Sequence, residues 1–173
     1  YPSNRMVSYT QDLAGRVTKV QAGTKSYAQG ISAEEPDIAY TAHGAIERMQ
    51  LGNGLFEQWS YNARLQPGSI KLGASAGSDS VFGAALDYGL TNNNGNLQSQ
   101  RITGSGLDRT QSYEYDGLNR LTASGEAGVW TRNFGYDQQG NGWVSTWSGL
   151  SPSTFTPAGA GSFNSQNQLT VMG

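Results

Sequence analysis

The stretch SYEYDGLNRLTASGEAG, which runs from Ser112 to Gly128, decides the fold. Its first half alternates Tyr113 and Tyr115 with Ser112 and Glu114. A period of two places the tyrosines on one face of a β-strand and the polar residues on the other. The stretch therefore predicts a short strand with one apolar face.

The residues that follow Tyr115 carry the chemistry of a tight turn. The side chain of Asp116 can accept hydrogen bonds from backbone N–H groups just ahead of it. Asn119, three residues later, tolerates the positive φ that a type I turn followed by a bulge requires. Leu121 then faces the aromatic residue across an antiparallel ladder. The whole stretch predicts a β-hairpin, although an acid beside Arg120 is also compatible with part of an active site.

The same pattern recurs along the chain: an aromatic residue, Asp, two free positions, Gly or Asn, Arg, and an aliphatic residue. Several copies keep only part of it, and some have Asn in place of Asp. There are about seven copies, spaced by roughly 20 to 30 residues, which is the window of repeat architectures. In one copy, Tyr61-Asn62-Ala63-Arg64-Leu65, the motif reads as one or two residues shorter. The motif residues are Asp12, Gly15, Arg16, Tyr40, Gly44, Tyr61, Asn62, Arg64, Asn92, Gly95, Tyr113, Tyr115, Asp116, Asn119, Arg120, Tyr136, Asp137, Gly140, Phe163, Asn164 and Asn167.

A second kind of turn lies between the copies. Gly-rich segments at Ala22–Thr24, Gly52–Gly54, Gly104–Gly106 and Ser124–Glu126 have this role. The chain then reads as strand, motif turn, strand and second turn, which predicts an all-β fold: a ribbon of antiparallel hairpins that spirals into a shell, solenoid or barrel-like structure. Two segments interrupt the pattern and are predicted to be loops, the acidic Ala33–Asp37 and the Pro- and Gly-containing Ser148–Ser162.

Composition supports this fold and excludes several functions. The chain has 173 residues, with 24 Gly, 14% charged residues and no Cys, and its length is sufficient for one domain with a core of its own. A net charge of -2 without a basic run gives nucleic-acid binding little support. The absence of Cys removes disulfides and thiolate metal sites. No apolar run has the length of a membrane span, and we expect residues 1–173 to form one repeat module of a longer array.

The motif set resembles the YD-repeat family, also called Rhs repeats. The residues that carry the resemblance are Tyr113-x-Tyr115-Asp116-x-x-Asn119-Arg120-Leu121, Phe134-x-Tyr136-Asp137-x-x-Gly140-Asn141 and Asp12-x-x-Gly15-Arg16-Val17. The resemblance implies a spiralling β-shell in a large secreted or surface protein of bacteria. Some members enclose a toxin behind a self-cleaving aspartyl domain. This chain has no Asp-Pro, so neither self-cleavage nor toxin activity is expected of it.

An enzyme is the weakest hypothesis. Glycoside hydrolysis needs two carboxyls at a fixed separation, and the acids are Glu114 with Asp116 and a cluster of Glu34, Glu35 and Asp37. The position of Asp116 is occupied by Asn in other copies, which a turn acceptor permits and a catalytic carboxylate does not.

Metal and cofactor sites also have little support. The only His, His43, has no second His or Cys to complete a metal set or a triad. The segment Asn92–Asn96 is rich in oxygen but lacks the carboxylates of a calcium site. We expect no catalytic residue, no metal and no cofactor.

Three functions stay open. The leading one is a structural scaffold that builds a shell or an extracellular fibre. The second is a carbohydrate- or cell-surface-binding module that uses exposed aromatic residues, with the candidates Trp59, Trp130, Trp143 and Trp147. Trp143 and Trp147 are four residues apart and share a face if their strand is regular. The third is self-assembly, because exposed sheet edges recruit flanking repeats or copies of the chain.

Overall fold

The structure is a computed structural model that describes residues 5–91 and 93–170. Within these residues the chain forms thirteen β-strands and one turn of 3-10 helix, Ala160–Ser162, and no α-helix. The strands are β1 (Ser8–Gln11), β2 (Val17–Ala22), β3 (Lys25–Gln29), β4 (Ala39–Tyr40), β5 (Ile46–Leu51), β6 (Phe56–Tyr61), β7 (Pro67–Gly73), β8 (Phe82–Asp87), β9 (Ser99–Gly104), β10 (Leu107–Tyr115), β11 (Leu121–Glu126), β12 (Trp130–Tyr136) and β13 (Gly142–Ser148).

The strands follow one another as an antiparallel meander. Hydrogen-bonded neighbours run in the order β1-β2-β3-β5-β6-β7-β8-β9-β10-β11-β12-β13, with β4 paired to β5. The predicted all-β ribbon of antiparallel hairpins is therefore confirmed. The chain divides into two compact units, Tyr1–Leu86 with Arg101–Asp108, and Asp87–Gln100 with Arg109–Gly173.

The acidic loop is an insertion into a strand. Both β3 and β4 pair with β5, Ala28 and Gln29 with one end of it and Ala39 and Tyr40 with the other. The residues between them leave the sheet in a loop closed by a hydrogen bond from the Gly30 N–H to the Pro36 carbonyl, 2.9 Å long. The predicted loop over Ala33–Asp37 is exposed, as expected.

One face of each unit is more apolar than the other. In β6, β7 and β8, Trp59 pairs with Ile70 and Ile70 with Ala84 on one face, while Gln58 and Lys71 pair on the other. In β10, Tyr113 and Tyr115 are half-buried while Ser112 and Glu114 are exposed, as the period of two predicts. The alternation in the sequence therefore sets which side of the sheet excludes water.

The expectation of a core within this chain is wrong for the described residues. Only Ile38 and Ala84 are buried hydrophobic residues there, at 6% and 8% exposure, and no large side chain is fully buried. The reason is architectural: a single antiparallel layer has no second layer on its apolar face. Most of the apolar side chains are therefore half-buried.

One predicted turn is displaced. Ser124–Glu126 lies inside β11 and pairs with β12, and the turn comes at Glu126–Val129, where the Val129 N–H donates to the Glu126 carbonyl over 2.9 Å. Gly128 supplies the positive φ of this turn, +74°. Gly125 instead permits a close approach of strands, because a Cβ there would lie 2.9 Å from the Trp130 carbonyl oxygen.

Candidate functional site

The motif turns share one backbone geometry. In each, the N–H of the first residue donates to the carbonyl of the fifth, and the N–H of the fourth donates to the carbonyl of the first. In the Asp116 turn both bonds, Asp116 N–H to Arg120 and Asn119 N–H to Asp116, are 2.9 Å long. The described turns of this kind that carry a polar first residue begin at Asp12, Thr41, Asn62, Asp116, Asp137 and Asn164.

The fourth position always has a positive φ. Glycine takes it in some turns, and Leu65, Asn119 and Asn167 take it in others with φ of 63°, 61° and 60°. This left-handed conformation is free of strain for glycine and mildly unfavourable for asparagine. The turn therefore tolerates asparagine at this position but does not need it.

The side chain at the first position stabilises the turn by accepting hydrogen bonds from backbone N–H groups of the same turn. One carboxylate oxygen of Asp116 accepts hydrogen bonds from the N–H groups of Leu118 and Arg120, both 2.9 Å long. The amide oxygen of Asn62 accepts the same pair of bonds in its own turn. An oxygen in this place is all that the turn requires, which explains why aspartate and asparagine alternate along the chain.

The first and fifth side chains are matched to each other. Arg120 Nε donates to the second carboxylate oxygen of Asp116 over 2.7 Å. Asp12 pairs with Arg16 and Asp137 with Asn141 at the same distance. In the two described turns that begin with an asparagine the fifth residue is a glutamine, and the pairs Asn62–Gln66 and Asn164–Gln168 are 2.8 and 3.0 Å apart.

These hydrogen bonds stabilise the ionised carboxylates. The pKa of Asp116 is lowered, chiefly by the backbone N–H of Arg120 and also by its side chain. The pKa of Asp12 is lowered in the same way by Arg16. The side-chain amide of Asn141 is the main cause of the lowered pKa of Asp137. Lowered pKa values leave these acids as acceptors, so they do not resemble general acids.

A tyrosine hydroxyl connects each of several repeats to the repeat before it. Tyr136, which precedes the Asp137 turn, donates to the Leu121 carbonyl over 2.8 Å, and Leu121 is the sixth residue of the Asp116 turn. We call this hydrogen bond the tyrosine link. It recurs in four places: Tyr40 to Val17 at 2.7 Å, Tyr61 to Ile46 at 3.0 Å, Tyr115 to Leu97 at 2.9 Å, and Tyr136 to Leu121.

Sequence reasoning treated these tyrosines only as packing residues. The link was not found because its acceptor is a backbone carbonyl, which leaves no mark on the residue type. The available signal was the choice of tyrosine over phenylalanine before four of the motif turns. Phe163, which precedes the Asn164 turn, has the ring without the hydroxyl.

The Asn62 copy corrects the reading of the sequence. Its turn has full length, because the Asn62 N–H donates to the Gln66 carbonyl over 2.9 Å. Leu65 takes the position with positive φ, and Gln66 takes the position of the motif arginine. Arg64 is therefore not the motif arginine but the third residue of the turn. The predicted motif residue Asn92 lies outside the described residues, while Gly95 has a φ of 100°.

The other acids considered in the sequence and His43 have separate surroundings in the described part of the chain. Glu35 is 2.9 Å from Arg48 on the exposed loop, and Glu114 is exposed on the polar face of β10. The ring of His43 contacts the ring of Tyr61 edge-on, with 4.9 Å between centroids. No cluster of three or more His, Cys, Asp or Glu is present among the described residues.

The four tryptophans have different environments. Trp59 donates to Glu57 over 2.6 Å and is half-buried. Trp143 lies across Gly135, whereas Trp147 pairs with Arg132 and is 49% exposed. A register shift between Asn133 and Phe134 adds a residue to β13.

This bulge corrects the expectation for a regular strand. An added residue reverses the alternation of side chains beyond it, so Trp143 and Trp147 lie on opposite faces. Of the pair, Trp147 is the exposed one. It shares its face with Trp130, whose ring lies 5.7 Å from the guanidinium carbon of Arg132.

Fold and site together define a ribbon of repeated β-hairpins whose motif residues hold turns and join neighbours. No protein-family model and no curated protein sequence matches the chain. Solved structures share the fold. A chain of the Photorhabdus luminescens Tc holotoxin pore with a mutated TccC3 aligns with a TM-score of 0.60 and 18% identity over 79% of this chain.

Two further structures give the same result. A TcdB2-TccC3-Cdc42 structure aligns with a TM-score of 0.59 and 18% identity over 76% of this chain. A TcdB2-TccC3 structure without its hypervariable C-terminal region aligns with a TM-score of 0.59 and 16% identity over 76%. The chain spans 8% or less of the length of these proteins. At these identities the likeness establishes an antiparallel β-repeat fold.

Proposed function

We propose that this chain is a non-enzymatic structural scaffold, a β-repeat segment of a bacterial YD-repeat (Rhs-repeat) protein. It forms part of the wall of a shell, or of a fibre, outside the cell. The observation that carries the proposal is the tyrosine link. It uses the tyrosines that precede four of the motif turns to join one hairpin to the hairpin before it.

The pairing of the first and fifth turn residues also supports a structural role. An ion pair in one turn is replaced by an amide pair in another, as in Asp116–Arg120 and Asn62–Gln66. Such an exchange preserves the turn but removes the charge. A catalytic carboxylate does not permit this exchange, whereas a turn acceptor does.

The assembly to which the chain belongs and its location are proposed from the family resemblance and the structural comparisons. The structures with the same fold are toxin-complex chains, which favours a shell wall over an isolated fibre. Among the described residues no helix is long and apolar enough to cross a membrane. A place in a secreted or surface complex follows from the YD-repeat resemblance.

The scaffold proposal predicts association through the sheet edge at β1. Its four residues, Ser8–Gln11, are all exposed, and β1 has a strand neighbour on one side only within the described part of the chain. Light scattering over a range of concentrations, with negative-stain electron microscopy, should show concentration-dependent oligomers or filaments. A Thr10→Lys variant should reduce association. Monomers at every concentration, or equal association of the variant, would contradict this prediction.

A second candidate function is carbohydrate binding at the face that carries Trp147. Its half-exposed ring lies beside Arg132 and Trp130, and such an arrangement offers a stacking surface with a hydrogen-bond donor. Glycan-array binding should fall at least tenfold in Trp147→Ala. It should persist in Phe155→Ala, which removes another exposed aromatic ring of the same unit. An array on which the parent chain binds nothing would exclude this function.

A further inference from the structure

An arginine or an asparagine at the fifth position reaches across to the next repeat in one of two ways. In the first, an arginine guanidinium lies over the tyrosine of the next repeat. The guanidinium carbon is 4.8 Å from the ring centroid for Arg16 over Tyr40, and 4.5 Å for Arg120 over Tyr136. Such a contact is attractive because the ring face carries negative charge density.

In the second way, an asparagine amide bonds to an asparagine of the next repeat. Asn96 Nδ2 donates to Asn119 Oδ1 over 3.0 Å. Asn141 Nδ2 donates to Asn167 Oδ1 over 3.2 Å. Asn141 is the fifth residue of the Asp137 turn, and Asn167 is the fourth residue of the next turn. Asn96 has the corresponding place in the sequence, and Asn94 Nδ2 donates to the same oxygen of Asn119 over 2.9 Å.

The residue type at the fourth position of the next repeat differs between the two kinds of contact. After the arginines Arg16 and Arg120 it is a glycine, Gly44 or Gly140. After the asparagines it is an asparagine, Asn119 or Asn167. Where the fifth residue is Ala45 the next fourth residue is a leucine, so asparagine is not a default choice at this position.

Backbone geometry alone does not explain this matching. The fourth position has a positive φ in both kinds of step, 90° at Gly44 and 61° at Asn119. Glycine adopts it without strain, so an asparagine there costs a little backbone energy. A Cβ at Gly44 or Gly140 would meet no atom within 4 Å, so sterics do not impose glycine either. The asparagine side chain therefore has a use where it occurs, namely the bond from the preceding repeat.

The reach of the side chains explains why there are two solutions. Arginine donates through Nε to its own aspartate and still extends over the next ring. Asparagine is too short to reach that ring. The Nδ2 group of Asn141 has two hydrogens, and it donates to Asp137 at 2.7 Å and to Asn167 at 3.2 Å. The shorter side chain thus needs an acceptor at the fourth position of its neighbour.

We propose that the fifth residue of one repeat and the fourth residue of the next form a recognition pair, arginine with glycine or asparagine with asparagine, that specifies which hairpin follows which in the ribbon. The proposal goes beyond the scaffold role, because it holds whether the ribbon builds a shell, a fibre or a binding surface. A mismatched order leaves an amide without its partner. The pair therefore discriminates among hairpins whose turns are otherwise alike.

A double-mutant cycle at Asn141 and Asn167 tests the pair. The variants are Asn141→Arg, Asn167→Gly and the double variant, and the readout is amide hydrogen exchange of the Gly140 and Asn167 N–H groups. We expect each single change to raise the opening of these turns by about fivefold, the value of one net hydrogen bond. The double variant should recover most of the protection. Because a cycle cancels single-site effects, the cost of the positive φ drops out.

A control cycle and a reverse cycle decide the outcome. Arg120→Asn with Asn167→Gly combines residues that belong to two different steps and do not form a pair, so their effects should be additive. Arg120→Asn with Gly140→Asn converts an arginine step into an asparagine step and should again show coupling. Where Asn141→Arg disrupts its own hairpin, the reverse cycle alone decides. Additivity to within about 1.5-fold in the deciding cycle would overturn the proposal.

Discussion

Replacement of Tyr136 by phenylalanine is expected to destabilise the hairpin of β12 and β13 by about 1–2 kcal/mol, and replacement by alanine by about 2–3 kcal/mol. The phenylalanine variant loses only the hydroxyl, and the Leu121 carbonyl that accepted its hydrogen bond loses a partner. Its ring still lies beneath Arg120. The alanine variant also loses that contact and the packing of the ring against Gly142.

The difference in stability between the two variants separates the contribution of the hydroxyl from that of the ring. Urea unfolding gives the total change, and hydrogen exchange over residues 121–142 localises it, because repeat proteins depend on interfaces between neighbours. Tyr27→Phe is a matched control. Tyr27 contacts Lys25 through its ring and precedes no motif turn, so its loss of a hydroxyl should cost less than about 0.5 kcal/mol. A Tyr136→Phe protein as stable as the parent would show that the tyrosine link contributes nothing.

The tyrosine link also illustrates which features of the fold can be predicted from the sequence alone and which cannot. The turn itself could be predicted, because Asp116 and Asn119 act locally and their chemistry requires only the residues beside them. The strand faces at Tyr113 and Tyr115 could be predicted because period two is a local pattern. The tyrosine link was not predicted. It joins residues 15 to 23 positions apart through a backbone acceptor, as for Tyr136 and Leu121 or Tyr40 and Val17.

Two errors have different origins. Leu65 was not recognised at a positive φ, because leucine does not favour this conformation. Arg64 was therefore assigned to the wrong turn position. Gly125 was taken for a turn residue although it permits a close approach of two strands, and only the pairing with β12 reveals that role. The role of Gly125 is thus set by a neighbouring strand and not by its own segment.

The small number of buried apolar residues in the described part of the chain follows from the same distinction. Apolar residues in the sequence show which face of a strand excludes water, but not whether a second layer covers it. Ile38 is buried at 6% exposure because it also hydrogen-bonds β2, from its N–H to the Thr18 carbonyl at 2.8 Å. Elsewhere the ribbon depends on edge contacts between neighbouring strands, so close approach of backbones matters more than in a two-layer domain.

Gly52→Ala is therefore expected to be strongly damaging, with a cost of about 3 kcal/mol or more. A Cβ at Gly52 would lie 2.5 Å from the Ser26 carbonyl oxygen and 2.9 Å from Tyr27 Cα. Both are backbone atoms of β3, so no side chain can rotate away. To make room, β5 has to move off β3, which breaks the 2.8 Å hydrogen bond from the Gly52 N–H to the Tyr27 carbonyl.

Two glycines provide controls that separate this clash from other effects. Gly54→Ala lies in the same turn with open space around it, and its φ of 86° predicts a strain of about 1–2 kcal/mol. Gly117→Ala has open space and no positive φ, so it should be neutral or stabilising by up to about 1 kcal/mol. Urea unfolding should rank the stabilities Gly117→Ala, Gly54→Ala and Gly52→Ala from highest to lowest. Loss of exchange protection in Gly52→Ala should begin at β3 and β5, because a steric cause acts where the two backbones meet. Equal stability of Gly52→Ala and Gly117→Ala would show that the two strands separate without cost.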